Sequence, residues 1–516
     1  MSPTAVIEIP RTHNPYPSQG VQADDQGIPR YTELPESLIA MLARHVETGP
    51  DVEAVVESGG QRLAYQQLWD RAARVAGGLR AAGVARGDRV AVRYPAGVNW
   101  VLAFWGTLMA GGVAVAVNTR SSQSEVEFVL QDAGVTVDLA ADSPLPDGDP
   151  LVVDGLGLSD VAAFFYTSGT TGNPKGVPTT HEAFLANAEN MLTCLGLPAD
   201  IGAGLRTLIS VPLFHVTGCN SQLLVAARVG GTSVILPAFD RAKMIASIPG
   251  ERITYLVTVP AIYSLILRRP EFATTDLSAV RWVGYGGSPI APTLVQALQD
   301  AFPAARVFNG YGMTETASIM SVLPHDDAIE HADSVGYSVP SVDLGIVPLD
   351  DDPSTGELVV RGANVTAGYW QRPETNAETI VDGWLHTGDI VRVDDAGRVH
   401  IVDRIKDIII RGGFNISARE VEEALLAHPK IANVALVGIP DPVVGERACA
   451  AIVTRGPIDI TLGELRDHLT NESKLAIWKV PERVEFLSEM PVTATGKIQK
   501  FVLRERFRTS GPSGDR

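Results

Sequence analysis

The sequence predicts a multidomain α/β protein. We expect a large layered α/β amino-terminal domain with a small β-barrel subdomain, followed by a small α+β lid domain. The chain has 516 residues, more than one hydrophobic core usually serves. Helical and strand-like apolar patterns alternate through residues 65–309. After Gly336 the pattern changes to short strands separated by turn residues.

The amino-terminal part predicts a tail and then a helix–strand unit. Residues 1–33 contain many Pro, Gly and Gln residues and lack the apolar centre of a signal peptide, so we expect a loose tail. From Tyr65 to Ala82, apolar residues recur at helical spacing, and Gly83 is placed to end that helix. Residues 89–94 then predict a strand.

An uncharged stretch at residues 94–119 is long enough to raise the question of a membrane span. Gly111 and Gly112 divide it into a predicted helix at residues 100–110 and a short strand at residues 113–117. We therefore expect a buried helix and strand of an α/β core, and no transmembrane segment.

The later elements follow the same logic. Strands of the large domain are predicted at residues 161–166, 207–211, 232–236, 255–259, 280–285 and 307–309. The small barrel or antiparallel sheet is predicted from residues 356–361, 383–386 and 398–402. A polar stretch at residues 403–407 suggests a boundary, so we divide the chain into domains at residues 34–403 and 404–516. Within the second domain, capping-box sequences at residues 417–420 and 461–464 predict helix starts.

Charge and cysteine content exclude several functions. A formal net charge of −18 argues against a general nucleic-acid surface, which needs clustered Lys and Arg. The three cysteines are widely spaced and form no C-x-x-C pair, which fits neither a disulfide framework nor a zinc site. They suit a reducing compartment, and we expect a cytoplasmic protein.

A loop at residues 166–176 has the composition of a phosphate site. Its glycines let the backbone turn tightly, so that N–H groups face an anion beside the hydroxyls of Ser168, Thr170 and Thr171 and the ammonium of Lys175. It is not a Walker A sequence, because Pro174 precedes the lysine and a glycine follows it. Taken alone, the pattern leaves a phosphate site and an ordinary Ser- and Thr-rich surface loop both open.

Together the motifs resemble the adenylate-forming superfamily of acyl-CoA synthetases, peptide-synthetase adenylation domains and beetle luciferases, over residues 34–506. The resemblance rests on residues 166–176, 212–215, 286–289, 309–316, 383–389, 403–406, 412–415 and 491–497, in this order. It implies a mobile carboxyl-terminal lid and two half-reactions. In the first, a carboxylate and Mg-ATP give an acyl-adenylate and pyrophosphate; in the second, a thiol takes the acyl group.

The resemblance also implies a nucleotide site. Thr314 and Glu315 would lie at the α-phosphate, with Glu315 holding Mg²⁺, a hard cation that prefers carboxylate oxygens. Tyr311 would stack on adenine, and Asp389 would bind the ribose hydroxyls. The other residues assigned to ATP are Thr167, Ser168, Gly169, Thr170, Thr171, Lys175, Gly286, Gly287, Ser288, Asn309, Gly310, Gly312 and Arg404. Taken singly, a buried tyrosine, a helix-start acid and an aspartate after glycine have ordinary structural explanations.

In the lid, the resemblance implies that Lys497 bridges the carboxylate and the α-phosphate during adenylation. Lys406 would be the hinge about which the lid turns. Gly412, Gly413 and Phe414 would then approach the site and admit the pantetheine arm of CoA. Some plant aryl-CoA ligases have a lysine where Gly412 stands, which leaves the CoA contacts of this loop open.

His215 resembles a gate between the nucleotide and the acyl pocket, although a hydrogen-bonded interior histidine is the alternative. The expected pocket residues are Val216, Thr217, Gly218, Cys219, Val283, Gly284, Tyr285, Gly310, Gly312, Thr316, Ala317 and Ser318. They are small or apolar, and Gly218, Gly284 and Gly310 suggest room, so an apolar fatty, aryl or terpenoid acid of medium size or larger is expected. Amino-acid-activating relatives have an aspartate where Val216 stands, which argues against an amino acid.

The acceptor is expected to be free CoA, because no carrier domain follows Lys497 in the sequence. Two alternatives stay open: a ligase that loads a separate carrier protein, and a luciferase-like oxygenase. The expected partners are thus a carboxylic acid, ATP, Mg²⁺ and CoA, and a homodimer is left open.

Overall fold

The order of helices and strands follows the predicted alternation. The computed structural model describes residues 5–167, 173–349, 352–412, 414–458, 460–492 and 498–509. The helices are α1 (Leu38–Thr48), α2 (Tyr65–Ala81), α3 (Val98–Met109), α4 (Gln123–Ala133), α5 (His181–Leu195), α6 (Val216–Gly218), α7 (Leu224–Val229), α8 (Arg241–Gly250), α9 (Pro260–Leu267), α10 (Pro292–Ala301), α11 (Pro373–Thr379), α12 (Ala418–Leu426), α13 (Leu462–Asp467) and α14 (Lys500–Thr509).

The strands up to residue 311 are β1 (Ile7–Glu8), β2 (Val21–Ala23), β3 (Pro29–Tyr31), β4 (Glu53–Glu57), β5 (Arg62–Ala64), β6 (Arg89–Arg93), β7 (Val113–Ala116), β8 (Val135–Ala140), β9 (Val161–Thr167), β10 (Lys175–Thr180), β11 (Arg206–Ile209), β12 (Thr232–Ile235), β13 (Tyr255–Thr258), β14 (Trp282–Gly286) and β15 (Arg306–Tyr311). The remaining strands are β16 (Ser321–Leu323), β17 (Ser334–Ser338), β18 (Val342–Pro348), β19 (Thr355–Gly362), β20 (Ile380–Val381), β21 (Trp384–Val393), β22 (Val399–Arg404), β23 (Ile409–Arg411), β24 (Phe414–Ile416), β25 (Ile431–Asp441), β26 (Gly445–Thr454) and β27 (Arg483–Phe486).

The largest sheet joins a parallel and an antiparallel part. Strands β4, β12, β11, β13, β14 and β15 are parallel neighbours. From β15 the sheet continues through antiparallel pairs along β16, β17, β22, β21, β19, β18 and β1. This antiparallel run contains the strands predicted for the small subdomain. The observed class is therefore mixed α/β, as predicted.

A second sheet has the order β10, β9, β7, β6 and β8. The helix α3 lies in the core beside it: Trp100 is fully buried, and Trp105 is 1% exposed. Because every residue of α3 except Asn99 is buried, its uncharged sequence reflects a core position, as predicted. In the part of the chain that the structure describes, no helix is both long and apolar enough to cross a membrane.

The prediction of a loose amino-terminal tail is wrong for the residues that the structure describes there. Ile7 pairs with Ile346, so that β1 adds an edge strand to the large sheet. Arg11 donates hydrogen bonds from Nη1 to the carbonyl oxygens of Val339 and Val342, and Tyr16 is buried. The segment is held by contacts with residues more than 300 positions away, which no local composition reveals.

The carboxyl-terminal region forms its own sheet, in which β24, β23, β26 and β25 are neighbours and β27 joins β26. Both predicted helix starts are present. Thr461 and Glu464 form a complete capping box before α13. Ser417 accepts the Glu420 N–H before α12, but the Glu420 carboxylate binds Lys479 instead of completing the box.

Candidate active site

Three of the predicted motifs lie at one edge of the large sheet. They follow the carboxyl ends of the parallel strands β11, β14 and β15, of which β14 and β15 are neighbours and β13 lies between β11 and β14. Gly286 of β14 is directly opposite Gly310 of β15. In open α/β sheets this edge is where ligands bind. The topology therefore brings together the His215 loop, the Gly286 loop and the Asn309 motif.

Glycine is required at Gly286 and Gly312 because the backbones approach closely. A Cβ on Gly286 would lie 2.3 Å from the carbonyl oxygen of Gly310, and one on Gly312 would lie 1.6 Å from that of Ser318. Gly287 and Ser288 are exposed beyond the strand, while Asn309 is buried. At this edge the exposed loop residues Gly287 and Ser288 thus lie next to closely packed backbone at Gly286 and Gly312.

Tyr311, Asp389 and Arg404 form one hydrogen-bonded group. The Tyr311 hydroxyl donates to one oxygen of Asp389, and Arg404 Nε lies 2.7 Å from the other. Asp389 in β21 is opposite Arg404 in β22, which fixes this pairing. Burial raises the pKa of Tyr311, and the Asp389 charge raises it further, so the hydroxyl stays protonated as a donor. The three predicted residues are therefore brought together.

Glu315 and Lys175 are joined through Tyr369. The Tyr369 hydroxyl donates to Glu315 Oε1 at 2.7 Å, and the Lys175 ammonium lies 4.8 Å from the centre of the Tyr369 ring. Glu315 is 6% exposed, and burial raises its pKa against the opposing effects of this hydrogen bond and of nearby cations. Thr314, next to it, is partly exposed. Sequence reasoning missed Tyr369, because it lies outside the motifs that carry the resemblance and 54 residues from Glu315.

The phosphate loop spans a β-hairpin. Thr167 ends β9 and is directly opposite Lys175, which begins β10. The four predicted residues Ser168, Gly169, Thr170 and Thr171 lie outside the described residues, between these two ends. The structure thus places the flanking residues Thr167 and Lys175, and the roles of the four residues between them stay predictions.

A strained turn follows Glu315. Ala317 and Ser318 have φ angles of 49° and 127°, which side-chain-bearing residues rarely adopt. Asn220 Nδ2 donates to the Ala317 carbonyl at 2.7 Å, and Asn364 Nδ2 donates to the Thr316 and Ile319 carbonyls. These two asparagines, which sequence reasoning also missed, hold the backbone of the Glu315 motif. Thr316 itself is fully buried.

His215 begins the helical run that contains α6. Its ring packs against Phe214, and its buried Nε2 has no hydrogen-bond partner among the residues that the structure describes. Burial lowers its pKa to about 4, and Arg120 lowers it as well, so the ring is neutral at pH 7. A neutral ring nitrogen in this position fits a ring that faces a ligand, and the role of His215 as a gate stays a prediction.

Two of the three glycines predicted to leave room in the acyl pocket do not provide it. A Cβ on Gly218 would lie 2.4 Å from the carbonyl oxygen of Pro212, and one on Gly284 would lie 2.4 Å from the Phe308 ring. These glycines are needed for close packing, so the inference of room is wrong there. Only at Gly310 is the nearest atom, in Ile319, at an ordinary 3.4 Å. Cys219, Tyr285 and Ala317 are buried, whereas Val216 and Thr217 are partly exposed.

Three of the five predicted lid residues, Lys406, Gly412 and Phe414, lie among the described residues. Lys406 lies in a short 3-10 turn after β22, and its carbonyl accepts a hydrogen bond from Arg504 of α14. Gly412 has a φ of 58°, and the exposed Phe414 ring stacks on Trp478 at 5.0 Å. Gly413 and Lys497 lie outside the described residues.

Glu315 fits a magnesium ligand by its chemistry. It presents a carboxylate at the site, and the Tyr369 hydroxyl occupies only one of its acceptor positions. Among the described residues no three His, Cys, Asp or Glu side chains are grouped to hold a metal ion. Mg²⁺ is commonly held by one or two carboxylates together with substrate phosphates and water, which agrees with a single acidic ligand here.

The mixed α/β fold, with its separate carboxyl-terminal sheet, and this strand-end edge are those of an α/β enzyme, and comparison with known proteins identifies the family. Residues 42–155 and 139–370 match the AMP-binding enzyme family, and residues 420–497 match the AMP-binding enzyme C-terminal domain. The chain therefore belongs to the adenylate-forming superfamily of acyl-CoA synthetases. It is an AMP-forming acid–thiol ligase that uses a carboxylic acid, ATP and CoA.

Individual relatives agree with this assignment. A feruloyl-CoA synthase of Amycolatopsis sp is 37% identical over 90% of this chain and 98% of its own length. The long-chain-fatty-acid–CoA ligase FadD13 of Mycobacterium tuberculosis is 33% identical over 92% of this chain and 99% of its own length. The crystal structure of ATP-bound MatB from Rhodopseudomonas palustris has a TM-score of 0.81 and 28% identity, and covers 91% of this chain and 99% of that one.

Proposed function

We propose that the protein joins an apolar carboxylic acid to CoA through an acyl-adenylate, with Mg²⁺ bound by Glu315. The observation that carries this proposal is the contact of Tyr369 with both Glu315 and Lys175 at the edge of the sheet. A carboxylate and a cation that contact the same tyrosine suit the binding of Mg²⁺ and a triphosphate. Phosphoryl-transfer and nucleotidyl-transfer reactions depend on positioning and on charge stabilisation.

In the first half-reaction a carboxylate oxygen of the acid attacks the α-phosphorus of ATP. A new phosphorus–oxygen bond forms, and the bond to the departing pyrophosphate breaks. Lys175 would neutralise part of the pyrophosphate charge, the hydroxyls of the hairpin loop would donate hydrogen bonds to it, and Lys497 would bridge the two reacting anions. Thr314 would bind the α-phosphate. Mg²⁺, held by Glu315, would supply charge neutralisation for the phosphates.

Asp389 would accept from the ribose hydroxyls while it keeps its bonds to Tyr311 and Arg404, because a carboxylate offers about four acceptor positions. The adenine would lie between Tyr311 and the Gly286 loop, with Asn309 near its amine. In the second half-reaction the CoA sulfur attacks the acyl carbon and AMP leaves. Rotation about Lys406 would bring Gly412, Gly413 and Phe414 to the site for this step. In this motion the domain of residues 404–516 would turn relative to the domain of residues 34–403.

For the acid, we propose an aryl or medium-length apolar substrate. The Phe308 ring occupies the space beside Gly284, and Ile319 lies next to Gly310, so both side chains limit the depth available at these strands. The relative at 37% identity is a feruloyl-CoA synthase, which supports an aryl acid. His215 would separate this space from the nucleotide.

The proposal is tested by measuring pyrophosphate release over a panel of aryl, short, medium and long-chain acids, with and without CoA, and identifying products by mass spectrometry. Lys175→Ala and Lys243→Ala serve as a matched pair, since Lys243 is an exposed lysine in the first turn of α8, outside the predicted site. We expect thioester with aryl or medium-length acids, and loss of activity only in Lys175→Ala. Adenylate without thioester would indicate a carrier-protein acceptor, and oxygen uptake would indicate a luciferase-like enzyme. Absence of both pyrophosphate and thioester would refute the proposal.

A further inference from the structure

We propose that Tyr369 is a positioning residue for adenylation: its hydroxyl fixes the Glu315 carboxylate, and its ring fixes the Lys175 ammonium. This inference rests on the proposed function of Glu315 and Lys175. Tyr369 itself lies outside every motif singled out in the sequence. What assigns it a role is that it contacts the proposed metal ligand and the proposed phosphate-binding cation at the same time.

The two contacts use different parts of the side chain. The hydroxyl donates to Glu315 Oε1 at 2.7 Å, and both residues are buried, with Tyr369 9% and Glu315 6% exposed. Hydrogen bonds to a charged acceptor in such surroundings are stronger than neutral ones. The ring centre lies 4.8 Å from Lys175 Nζ, within the ~6 Å range of cation–π attraction. The hydroxyl and the ring can therefore be removed separately.

The backbone of Tyr369 is held from both sides. The side-chain amide of Asn376 accepts the Tyr369 N–H at 2.7 Å and donates to the Tyr369 carbonyl at 2.9 Å. Gly368 before it has a φ of 146°, a conformation that favours glycine. A side chain on such a clamped backbone has little freedom, which is what a positioning role requires.

The same segment is attached to both parts of the site that it would align. The Trp370 N–H donates to the Gly176 carbonyl in the phosphate hairpin at 2.9 Å, and the Thr366 N–H donates to the Glu315 carbonyl at 2.7 Å. The segment at residues 366–370 thus fixes the distance between the hairpin and the Glu315 motif. The Tyr369 side chain adds a second link between the same two parts, because it contacts the Glu315 carboxylate and the Lys175 ammonium.

The consequence is specific to one half-reaction. Glu315 without its donor, or Lys175 without its ring, would sample positions that do not bind Mg-ATP productively, so adenylation suffers. Transfer of the acyl group from a supplied acyl-adenylate to CoA involves neither pyrophosphate nor its counter-ion, so that step should be unchanged. A merely structural role of Tyr369 would impair both steps alike.

The first test compares Tyr369→Phe with the wild type and with Tyr337→Phe. Tyr337 provides a matched control, because its hydroxyl also donates to a carboxylate, that of Asp327, at 3.1 Å. We expect Tyr369→Phe to raise the Mg²⁺ concentration for half-maximal pyrophosphate release by about tenfold, the size expected for a hydrogen bond to a charged group. The KM for the acid and the thioester step should stay within about twofold, and Tyr337→Phe should match the wild type.

A binding measurement provides a readout independent of turnover. Calorimetry of ATP with and without Mg²⁺ should show that Mg²⁺ tightens ATP binding less in Tyr369→Phe than in the wild type, with equal affinities in EDTA. Tyr369→Leu, which also removes the ring, should weaken ATP binding in EDTA as well, because Lys175 loses its support. Equal behaviour of Tyr369→Phe and the wild type in both assays would overturn the inference.

Asn376→Ser guards against misfolded variants, since it loosens the Tyr369 backbone and keeps the whole tyrosine. We expect a smaller change in the same direction, and no change would count against the positioning role. Failure of this inference is distinct from failure of the proposed function. A wild type that releases pyrophosphate beside an unaffected Tyr369→Phe refutes only the role of Tyr369, whereas a wild type without pyrophosphate release and without Mg-dependent ATP binding refutes both.

Discussion

Substituting Gly284 with Ala should destabilise the protein, because the added methyl group would collide with the ring of Phe308. The new Cβ would lie 2.4 Å from Phe308 Cζ, 2.8 Å from Cε2 and 3.0 Å from Cε1. Distances this short do not occur between carbon atoms that are not bonded, so the ring has to move within a close-packed core. The contact involves the Cζ end of the Phe308 ring, and Phe308 is buried, with 4% of its surface exposed, so the ring has little space to turn.

The expected size follows from two opposing effects. Overpacking a core typically costs about 1–3 kcal/mol. Gly284 lies in a strand with ordinary backbone angles, so alanine also reduces the entropy of the unfolded chain, which stabilises by about 0.4–1 kcal/mol. The net loss of unfolding free energy should therefore be about 1–2 kcal/mol.

Urea unfolding followed by tryptophan fluorescence and circular dichroism measures this loss, and Gly310→Ala is the matched control. At Gly310 the nearest atom to an added Cβ, in Ile319, is 3.4 Å away, an ordinary contact, so its stability should change by less than about 0.5 kcal/mol. Adding Phe308→Leu to Gly284→Ala should relieve the collision, so the double variant should lose at least about 1 kcal/mol less than the sum of the single losses. Wild-type stability of Gly284→Ala, or additive losses in the double variant, would refute the packing argument.

Three further outcomes are expected. Lys497→Ala should reduce acyl-adenylate formation by several orders of magnitude and spare thioester formation from supplied acyl-adenylate; equal loss in both steps, measured separately, would contradict its role. Lys406→Pro should do the reverse, because it restricts the hinge; unchanged CoA transfer would remove the hinge assignment. Burial lowers the pKa of His181 to about 4, and its Nδ1 accepts the Leu38 N–H, so the unfolded chain takes up a proton below about pH 6.5 while the folded protein does not. Stability should thus fall from pH 6.5 towards pH 4, by up to roughly 3 kcal/mol, and a His181→Gln variant with an unchanged slope in urea unfolding would contradict this.

Local patterns predicted the elements well where the chain's own periodicity determines them. The helix predicted at residues 100–110 is observed as Val98–Met109, and the strand predicted at residues 113–117 as Val113–Ala116. Gly111 between them has a φ of 77°, a conformation that glycine adopts without strain. Amphipathic spacing and glycine breaks are properties of neighbouring residues, so they are visible in the sequence.

Partners distant in sequence were not predictable in this way. The amino-terminal strand β1 depends on Ile346 for its pairing, and nothing in its own composition indicates that edge. The glycines near the acyl pocket show the same limit. A glycine signals that a side chain does not fit or is not needed there, but only the facing atoms, such as the Phe308 ring, distinguish close packing from an open pocket.

The two buried acids of the candidate site are held in the same way. Each of the two buried acids proposed to handle ATP has a tyrosine donor and a cation nearby: Tyr369 and Lys175 serve Glu315, and Tyr311 and Arg404 serve Asp389. A carboxylate taken out of water needs such partners, because an unpaired buried charge is strongly unfavourable.

A tyrosine hydroxyl occupies only one of about four acceptor positions on each carboxylate, so each acid is oriented and still has acceptor positions for ligand atoms. Ligand atoms can then add to a carboxylate that is already oriented, and no internal hydrogen bond has to break first. Preorganised groups of this kind are worth most where charge develops during reaction. Both pairs are distant in sequence, 78 residues for Tyr311 and Asp389 and 54 residues for Tyr369 and Glu315. Tyr311 and Asp389 were still recognisable because each lies in a motif that carries the resemblance, whereas Tyr369 lies outside those motifs. The contact of Tyr369 with Glu315 therefore had no signal in the sequence, although it gives a buried carboxylate the same kind of donor.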